Sequence, residues 1–454
     1  MRKLLSVPAP AAAWTRFRTA FARLATGGDW AINETPETRR NLIWFWFDGF
    51  FASASDNINA TYLVIYILAL GASQAQIGLM SALSSLMAAV MLLPGAALVE
   101  RMGTRRGIVV LAGGWSRGAL LLLAALPLLL DGPLIVYVAI ALAISRDAMG
   151  NLCYPAWISL TADVVPLEGR GRYFASRNFI MGIAGMVTIY LAGLLISGTG
   201  KPTGYQIALT ISAFAGLLAV FSFSHIIDRP RIPGPLPTPG PVRQAPVKSF
   251  FKDLLADREF AQFAGVTALF NFSLNIAGPF FTIYLVQDLQ ATATMVGLTS
   301  IATSVASLLA QRKLGELHDR WGSRKLTVLA GLLIPTLPIM WVFITSAWQV
   351  IPANLASGAL WAAYNLGSFN YLLKVTPTDR RARYSAIFQV IVTISLAAGA
   401  ALGSLVVTQW GYIAIFISSG VGRLVAGLLF AWIASRQARR ERALVEMPGG
   451  EELN

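Results

Sequence analysis

Long apolar stretches, separated by short polar loops, recur along almost the whole chain. Crossing a bilayer core of about 30 Å takes roughly 20 apolar residues in an α-helix, and each stretch is about that long or longer. The pattern predicts twelve membrane-spanning helices, numbered here as spans 1 to 12, at residues 42–70, 75–99, 106–130, 133–164, 173–198, 205–226, 259–287, 293–315, 325–346, 348–375, 384–409 and 411–434. A soluble helical protein cannot bury twelve such segments, so we expect an all-α membrane protein.

The composition supports this interpretation and excludes several other classes of protein. Of the 454 residues, 56% are hydrophobic and only 13% are charged, whereas soluble proteins carry about 25% charged residues. The single cysteine, Cys153, excludes an intramolecular disulfide and a cysteine-rich metal site. The sequence has no GxxxxGK[ST] nucleotide-binding loop, so ATP is not expected to drive it. We therefore expect no metal, no cofactor and no enzymatic activity.

The formal net charge of +14 could suggest a nucleic-acid partner, but the positions of the charges indicate otherwise. Most Lys and Arg lie in the two tails, the central linker and the loops that follow spans 2, 4, 8 and 10, and only Lys201 lies in a loop on the opposite side. This asymmetry predicts that both termini are cytoplasmic, in the inner (plasma) membrane. The expected partners are the lipid bilayer, a small-molecule substrate and protons, with no nucleic acid, and we expect a monomer.

A polar segment rich in proline divides the spans into two groups of six, because alternating prolines cannot continue a helix. The N-terminal segment carries Trp14, Phe17, Phe21 and Leu24 at helical spacing among arginines, which predicts a short interfacial helix; a disordered basic tail is the alternative. The predicted organisation is an N-terminal segment, a six-helix bundle, a linker, a second six-helix bundle and a tail, at residues 1–41, 42–226, 227–258, 259–434 and 435–454.

The two groups of six spans repeat each other in sequence. Asn57-Ile58 matches Asn275-Ile276, and Glu100-Arg101-Met102-Gly103 matches Asp319-Arg320-Trp321-Gly322, both pairs about 218 residues apart. Further along, Arg172-Tyr173 matches Arg383-Tyr384 at an offset of about 211 residues. Conserved order with one net deletion indicates an internal duplication.

The loop between spans 8 and 9 reads Gly315-x-x-x-Asp319-Arg320-x-Gly322-x-Arg324-Lys325, which resembles the loop signature of the major facilitator superfamily. Its first-half copy lies between spans 2 and 3, as that family's does, but Ala96 replaces the leading glycine and Glu100 replaces aspartate. Thr104 and Ser323 also stand where the family usually has arginine. The resemblance covers residues 42–434 and implies two pseudo-symmetric six-helix bundles around a central cavity.

These loops are candidates for a cytoplasmic gate. An acid at a helix end can accept hydrogen bonds from the N–H groups of a neighbouring helix N-terminus. By resemblance each loop packs on the other half, with Glu100 near Arg383 at the start of span 11 and Asp319 near Arg172 at the start of span 5. The other predicted gate residues are Arg101, Gly103, Arg105, Arg320, Gly322 and Arg324. The alternative is that these charges only set topology.

Ionisable residues at membrane depth are costly and are therefore functional candidates. Asp56 lies near the midpoint of span 1, and Arg146-Asp147 lies at similar depth in span 4. A low-dielectric environment favours the protonated form of a carboxyl group, and a nearby guanidinium favours the ionised form. We hypothesise that Asp56 carries the coupling proton and that Arg146 modulates it, with Asp147 and Asp48 as further candidates. Alternatively, the charges form a fixed ion pair between spans 1 and 4, or contact the solute.

The second half lacks these charges and offers neutral polar and aromatic side chains, which suggests a neutral or amphipathic solute. The candidates for the substrate cavity are Asn57, Asn59, Tyr154, Trp157, Asn271, Asn275, Trp361, Tyr364, Asn365 and Gln389. Aromatic faces can stack on sugar or drug-like rings, although packing between helices explains any one of them equally well.

Three arginines inside spans fit this scheme less well. The resemblance places Arg117 in span 3 and Arg423 in span 12 at the periphery, where we expect bonds to backbone carbonyls or contacts with lipid. Gly420 and Gly422 would let another helix approach Arg423 closely. Arg177, near the inner end of span 5, is expected to snorkel or to serve the gate.

The function that fits best is proton-coupled secondary transport. An uncoupled facilitator, a lipid-directed flippase and a non-transporting membrane sensor are the alternatives. Arg146 followed by Gly150 resembles the helix-4 motif of proton-coupled drug exporters, but such exporters also carry proline in span 5, and no proline lies between Arg172 and Ser197. The sequence leaves the substrate and the direction of transport open.

Overall fold

The computed structural model describes residues 19–102, 104–228, 257–376 and 381–445, and all regular secondary structure in these residues is helical. The predicted all-α architecture with two six-helix bundles is confirmed. The exact boundaries of the five predicted segments stay predictions, because most of the linker and much of both tails lie outside the described residues.

The first half has one helix for each predicted span. Spans 1 to 6 are helices α1 to α6, at Pro36–Ala69, Gln74–Met102, Arg105–Leu129, Leu134–Val164, Arg170–Thr199 and Thr203–Ser224. A short 3-10 helix, Asp29–Asn33, precedes α1. The hydroxyl of Thr35 accepts a hydrogen bond of 3.2 Å from the N–H of Thr38, and Pro36 occupies the first turn, so the sequence itself defines the start of α1.

The second half uses glycines to divide its helices. Its helices α7 to α12 are Arg258–Ala277, Phe280–Gln287, Ala293–Leu333, Thr336–Val342, Val350–Val375 and Arg381–Val445. Span 7 is α7 followed by α8, and span 10 is α11. Helix α9 contains spans 8 and 9, which meet at Gly322 with φ of 77°, and α10 continues span 9. Spans 11 and 12 likewise meet within α12 at Gly411, with φ of 76°. At both positions glycine adopts a backbone conformation that side chains disfavour.

Nine helical stretches among the described residues are long and apolar enough to cross a membrane. One of them, Ile387–Arg439, has 53 residues and contains two spans. Helices α1 and α11 are not among the nine, because buried and cavity-facing polar residues lower their hydropathy. These are the two helices that carry many of the candidate site residues.

The two halves touch at one end of the molecule. We call the end that carries residues 19–35 proximal and the opposite end distal. At the distal end the Tyr62 hydroxyl donates to the carbonyls of Ile189 (2.9 Å) and Ala293 (3.1 Å), which joins spans 1, 5 and 8. The amide of Gln74 in span 2 donates to the Tyr412 hydroxyl in span 12 over 2.7 Å. The described hydrogen bonds between the halves lie at this distal end, so the molecule is closed there.

The N-terminal segment covers the proximal end of the first half. Residues 19–26 are helical, and the ring of Phe21 packs on Trp46 and Phe47 at centroid distances of 5.4 and 5.6 Å. Leu24 is 57% exposed. Trp14 and Phe17 lie outside the described residues, so the interfacial helix stays a prediction.

Candidate functional site

Spans 1, 3 and 4 bring the candidate charges to one cavity of about 410 Å³ in the first half. Asp48, Ala52 and Asp56 line it from successive turns of span 1, since residues four apart share one face of a helix. Arg146 and Asp147 line it from span 4. The predicted clustering of these four ionisable residues is therefore present in the structure.

The principal partner of Asp56 is Arg117, not Arg146. Arg117 Nη1 and Nη2 bind the two carboxylate oxygens of Asp56, and the Nη2–Oδ2 distance is 3.0 Å. The Arg117 side chain is 16% exposed and that of Asp56 is 51% exposed. We expected Arg117 to lie at the periphery, and that expectation was wrong. Span 3 packs beside spans 4 and 6, and the long arginine side chain reaches past Ser55 to the face of span 1 that lines the cavity.

Arg146 bridges three groups. Its Nη1 donates to Asp147 Oδ1 over 2.6 Å, and its Nη2 lies 3.6 Å from Asp56 Oδ1. When the Asn59 amide is oriented with its oxygen towards the guanidinium, that oxygen accepts from both terminal nitrogens of Arg146 at 2.8 and 3.0 Å. Arg146 thus lies near Asp56 as a second guanidinium, and its predicted role in modulating Asp56 stays a prediction.

Asp48 forms a separate and deeper ion pair. Arg177 Nη2 donates to Asp48 Oδ2 over 3.0 Å, Nε donates to the Phe45 carbonyl over 3.1 Å, and the guanidinium lies 4.2 Å from the centre of the Phe45 ring. The two side chains are only 5% and 10% exposed. The expectation that Arg177 snorkels or serves the gate was wrong, because span 5 turns this residue towards span 1 and the carboxylate holds it there.

The first cavity is formally neutral. Three carboxylates face three guanidiniums, in the pairs Asp48–Arg177, Asp56–Arg117 and Asp147–Arg146. Of the three acids, Asp56 has the most exposed side chain and lies within 4.0 Å of two arginines. Protonation of Asp56 would break its pair with Arg117, whereas Arg146 would keep its bond to Asp147.

A second cavity, of about 320 Å³, lies in the second half between spans 7, 8, 9, 10 and 12. Asn275 and Trp361, both predicted cavity residues, line it together with Arg423. No described residue that lines it is acidic. Arg423 therefore contacts a cavity as well as span 7, to whose Leu274 carbonyl it donates over 3.3 Å. The expected bond to a backbone carbonyl is present, but the expected peripheral position was wrong.

The close approach predicted around Arg423 also occurs. A Cβ added at Gly420 would lie 2.6 Å from Ile339 of span 9, and one added at Gly422 would collide with Ser273 of span 7. Small residues therefore allow span 12 to approach both neighbours, which brings the Arg423 side chain between them.

Of the remaining predicted cavity residues, some line the first cavity and others bond or pack within the helices. Asn57 donates to the Ser53 carbonyl over 2.8 Å, and Asn271 donates to the Thr267 carbonyl over 2.9 Å, so both bond within their own helix. Tyr154 and Trp157 line the first cavity, stacked at 6.2 Å, whereas Tyr364 stacks on Phe270 at 4.7 Å and lines neither cavity described above. Asn365 and Gln389 are exposed, and their side chains make no described hydrogen bond.

The predicted gate residues whose side chains the structure describes are not brought together across the two halves. The Asp319 side chain is 85% exposed and contacts His318, at 3.5 Å, while Arg172, Arg101 and Arg320 are exposed. The position of Gly103 and the side chains of Glu100 and Arg383 lie outside what the structure describes. Gly322 forms the turn between spans 8 and 9, and Arg324 lies beside that turn. The predicted contacts between the loops and the opposite half would form only when the proximal end is closed, so the gate stays a prediction.

Arg105, by contrast, binds within its own half. Its guanidinium pairs with Asp163 and, over 2.8 Å, with Asp228, and its backbone N–H donates to Asp228 over 2.7 Å. These bonds tie the start of span 3 to the end of span 4 and to the residues after span 6. In this arrangement Arg105 joins helices of the first bundle, and its described partners all lie in the first half.

Sequence reasoning missed the small residues that leave space between the helices for the Arg117 and Arg177 side chains. A Cβ added at Gly216 in span 6 would lie 2.6 Å from Arg117 Cδ, and one added at Gly49 in span 1 would lie 2.7 Å from Arg177 Nε. Beside them, Ser55 and Ser212 join spans 1 and 6 through their hydroxyls at 3.2 Å. The available signal was glycine at membrane depth, which permits close approach, but 40 glycines in the chain make that signal weak.

Comparison with known proteins identifies the family. The profile described as Major Facilitator Superfamily matches residues 45–276 and 263–451, which is most of the chain. The chain is 21% identical over 421 residues to a protein of Lactococcus lactis named multi-drug resistance efflux pump PmrA homolog, covering 91% of this chain and 99% of that protein. It is 26% identical over 178 residues to the multidrug resistance protein MdtG of Salmonella typhimurium, covering 38% and 43% of the two chains.

A solved structure shows the same fold. The crystal structure of a D-xylose-proton symporter superposes with a TM-score of 0.64 over 91% of this chain and 97% of that one, at 14% sequence identity. At this identity the likeness supports the arrangement of the helices and not the chemistry of the site.

Proposed function

Because the chain belongs to the major facilitator superfamily, as the family profile shows, we propose that it moves a small organic solute across the inner membrane by alternating access, coupled to protons. The observation that carries the proposal is the Asp56 carboxylate. It is half exposed in a cavity and is bound by Arg117 on another span, with Arg146 at 3.6 Å. A proton that neutralises Asp56 removes the charge that joins span 1 to span 3, so protonation and movement are linked.

The distribution of basic residues supports a cytoplasmic position for the proximal end. In that orientation the distal contacts close the periplasmic side, and the molecule faces inward. We propose that this state holds Asp56 ionised against Arg117, and that an outward-facing state separates the pair and lets Asp56 take a proton. A relative named as an efflux pump supports outward transport of the solute. The exchange for protons is inferred from the Asp56 site.

Reconstituted protein under an imposed pH gradient tests the proposal. The probes are ethidium, a lipophilic cation, and p-aminohippurate, an aromatic carboxylate. The wild type is expected to accumulate at least one probe in a manner that a protonophore abolishes. Asp56→Asn should lose this accumulation and keep downhill exchange. Asp131→Asn, which changes an exposed acid in the loop after span 3, is the matched control and should behave as wild type.

Other outcomes of the same assay distinguish the alternatives. Full pH-driven accumulation by Asp56→Asn would contradict the assignment of the coupling site. Equal transport with and without the gradient would indicate an uncoupled facilitator. Movement of labelled phospholipid without movement of either probe would indicate a flippase.

A further inference from the structure

Arg423 is a buried cation that has no counter-ion among the residues the structure describes. It lies near the middle of span 12, it is 2% exposed, and its one described hydrogen bond is the 3.3 Å contact from Nη2 to the Leu274 carbonyl. Its Nε has no hydrogen-bond partner among the described residues, and no described carboxylate pairs with it. Burying a charge without a partner costs free energy, so such a residue at membrane depth is a candidate for binding a ligand of opposite charge.

The guanidinium lines the second cavity, whose remaining lining is suited to a ligand. The polar residues there are neutral, and they include Asn275, Asn354 and Ser357. Aromatic side chains of Phe281 and Trp361 complete the wall. At about 320 Å³ the cavity falls at the lower end of the range of about 300–1,000 Å³ that is typical of small-molecule sites.

Comparison with the first half shows that this charge is unusual within the molecule. Every arginine that lines the first cavity pairs with an aspartate of the same cavity. The internal repeat places Ser212, not an arginine, at the position that corresponds to Arg423. Among the described residues, the second cavity therefore carries a positive charge that no acid of its lining neutralises.

We propose that Arg423 binds the negative group of an amphipathic organic anion, and that an aromatic carboxylate is the class of ligand that the second cavity takes. A guanidinium binds both oxygens of a carboxylate through parallel N–H groups. The aromatic part would lie against Trp361 and Phe281, and the neutral amides would satisfy further polar groups. The identification of this ligand with the transported solute rests on the proposed function, whereas the binding site itself does not.

Isothermal titration of the purified protein in detergent tests the site directly. The probes are benzoate and hippurate, each with its neutral amide as an isostere. The wild type is expected to bind each carboxylate about tenfold more tightly than its amide, because a charged hydrogen-bonded pair forms with the carboxylate alone. Arg423→Gln should lose this preference. Arg436→Gln removes the same charge from helix α12 just past the proximal end of span 12, where Arg436 stacks on Trp432, and should keep the preference.

A second variant covers the case in which Arg423→Gln does not fold. Ser357→Asp introduces a carboxylate into the lining of the cavity that Arg423 also lines. It should compete with the probe, lowering carboxylate affinity about tenfold while amide binding changes little. A wild type that binds carboxylates no more tightly than amides would overturn the proposal. So would a folded Arg423→Gln protein that retains the preference.

The site and the proposed function fail in different experiments. Titration in detergent needs neither transport nor a gradient, and Asp131→Asn, which changes an exposed acid in the loop after span 3, should bind the carboxylates as the wild type does. If Asp56→Asn loses pH-driven accumulation and the carboxylate preference depends on Arg423, both proposals are supported. Retained accumulation in Asp56→Asn, together with Arg423-dependent binding, would remove the coupling assignment and leave the anion site standing.

Discussion

Each acid in the first cavity has a distinct degree of burial, and this separates their roles. Asp48 and Arg177 are nearly inaccessible and bind each other, and Arg177 also binds the Phe45 carbonyl of span 1. Asp56, by contrast, keeps half of its side chain exposed. A fully enclosed ion pair is a poor site for proton exchange with water, but it can hold two helices together. This difference in burial supports a structural role for Asp48–Arg177 and is consistent with the proposed coupling role of Asp56–Arg117.

Asp48→Asn should destabilise the protein. The substitution leaves the Arg177 guanidinium buried without a counter-ion, and breaking a buried pair in this way costs about 3–5 kcal/mol. Thermal unfolding in detergent measures the change.

Two further variants check the cause of that destabilisation. The double variant Asp48→Asn with Arg177→Met should recover much of the loss, because it removes the unpaired charge. Asp131→Asn, an exposed acid, should change stability by about 0.5 kcal/mol or less. A double variant as unstable as the single variant would contradict this assignment.

Between elements, glycines at the distal end decide how closely the halves approach. A Cβ added at Gly297 in span 8 would lie 2.6 Å from the Tyr62 hydroxyl oxygen and 3.1 Å from Ile189 Cγ2. One added at Gly193 in span 5 would lie 3.0 Å from the Ala293 carbonyl oxygen. Spans 5 and 8 thus depend on small residues for the contact that closes this end.

Gly297→Ala should shift the protein towards a distally open state. The new methyl group cannot fit unless Tyr62 or Ile189 moves, at a cost of about 1–3 kcal/mol to the closed state. In a Cys153→Ser background, spin labels at positions 201 and 288 report the separation of two exposed distal sites. We expect the longer distances to gain population relative to the parent.

Gly265→Ala is the matched control for this measurement. An added Cβ there meets nothing within 4 Å, so the distribution of distances should match that of the parent. An unchanged distribution in Gly297→Ala would show that the distal contact tolerates the methyl group and does not control closure.

At the scale of the whole molecule, the two ends should close alternately. The distal hydrogen bonds are formed, and the acid and the arginine predicted to meet proximally, Asp319 and Arg172, are exposed. This is the arrangement expected of a carrier with one gate open, whose conversion exchanges one set of contacts for the other.

Cysteines at positions 172 and 319, in a Cys153→Ser background, test this exchange. A short bifunctional reagent should cross-link them poorly in the parent and several-fold faster when Gly297→Ala is added, because opening the distal end closes the proximal one. A pair at positions 101 and 319, both exposed but not predicted to meet, is the control. Equal rates with and without Gly297→Ala would contradict alternating closure.

The sequence alone determined the properties that depend on the bilayer and on local pattern. Span number follows from the length of apolar stretches, the two halves from the repeat between Asn57 and Asn275, and the expected orientation from basic loops. It also identified most of the charges at membrane depth, since each is conspicuous in an apolar helix.

Only the tertiary structure decided which charges meet. Arg117 and Asp56 lie on different spans, and many of these spans are apolar on every face, so periodicity does not reveal which side points inward. The pairing of Asp56 with Arg117 in preference to Arg146 depends on how closely span 6 packs at Gly216 and on the reach of a long side chain. That no described acid pairs with Arg423 likewise appears only when the walls of its cavity are assembled, because a missing counter-ion is a property of the surroundings and not of the residue.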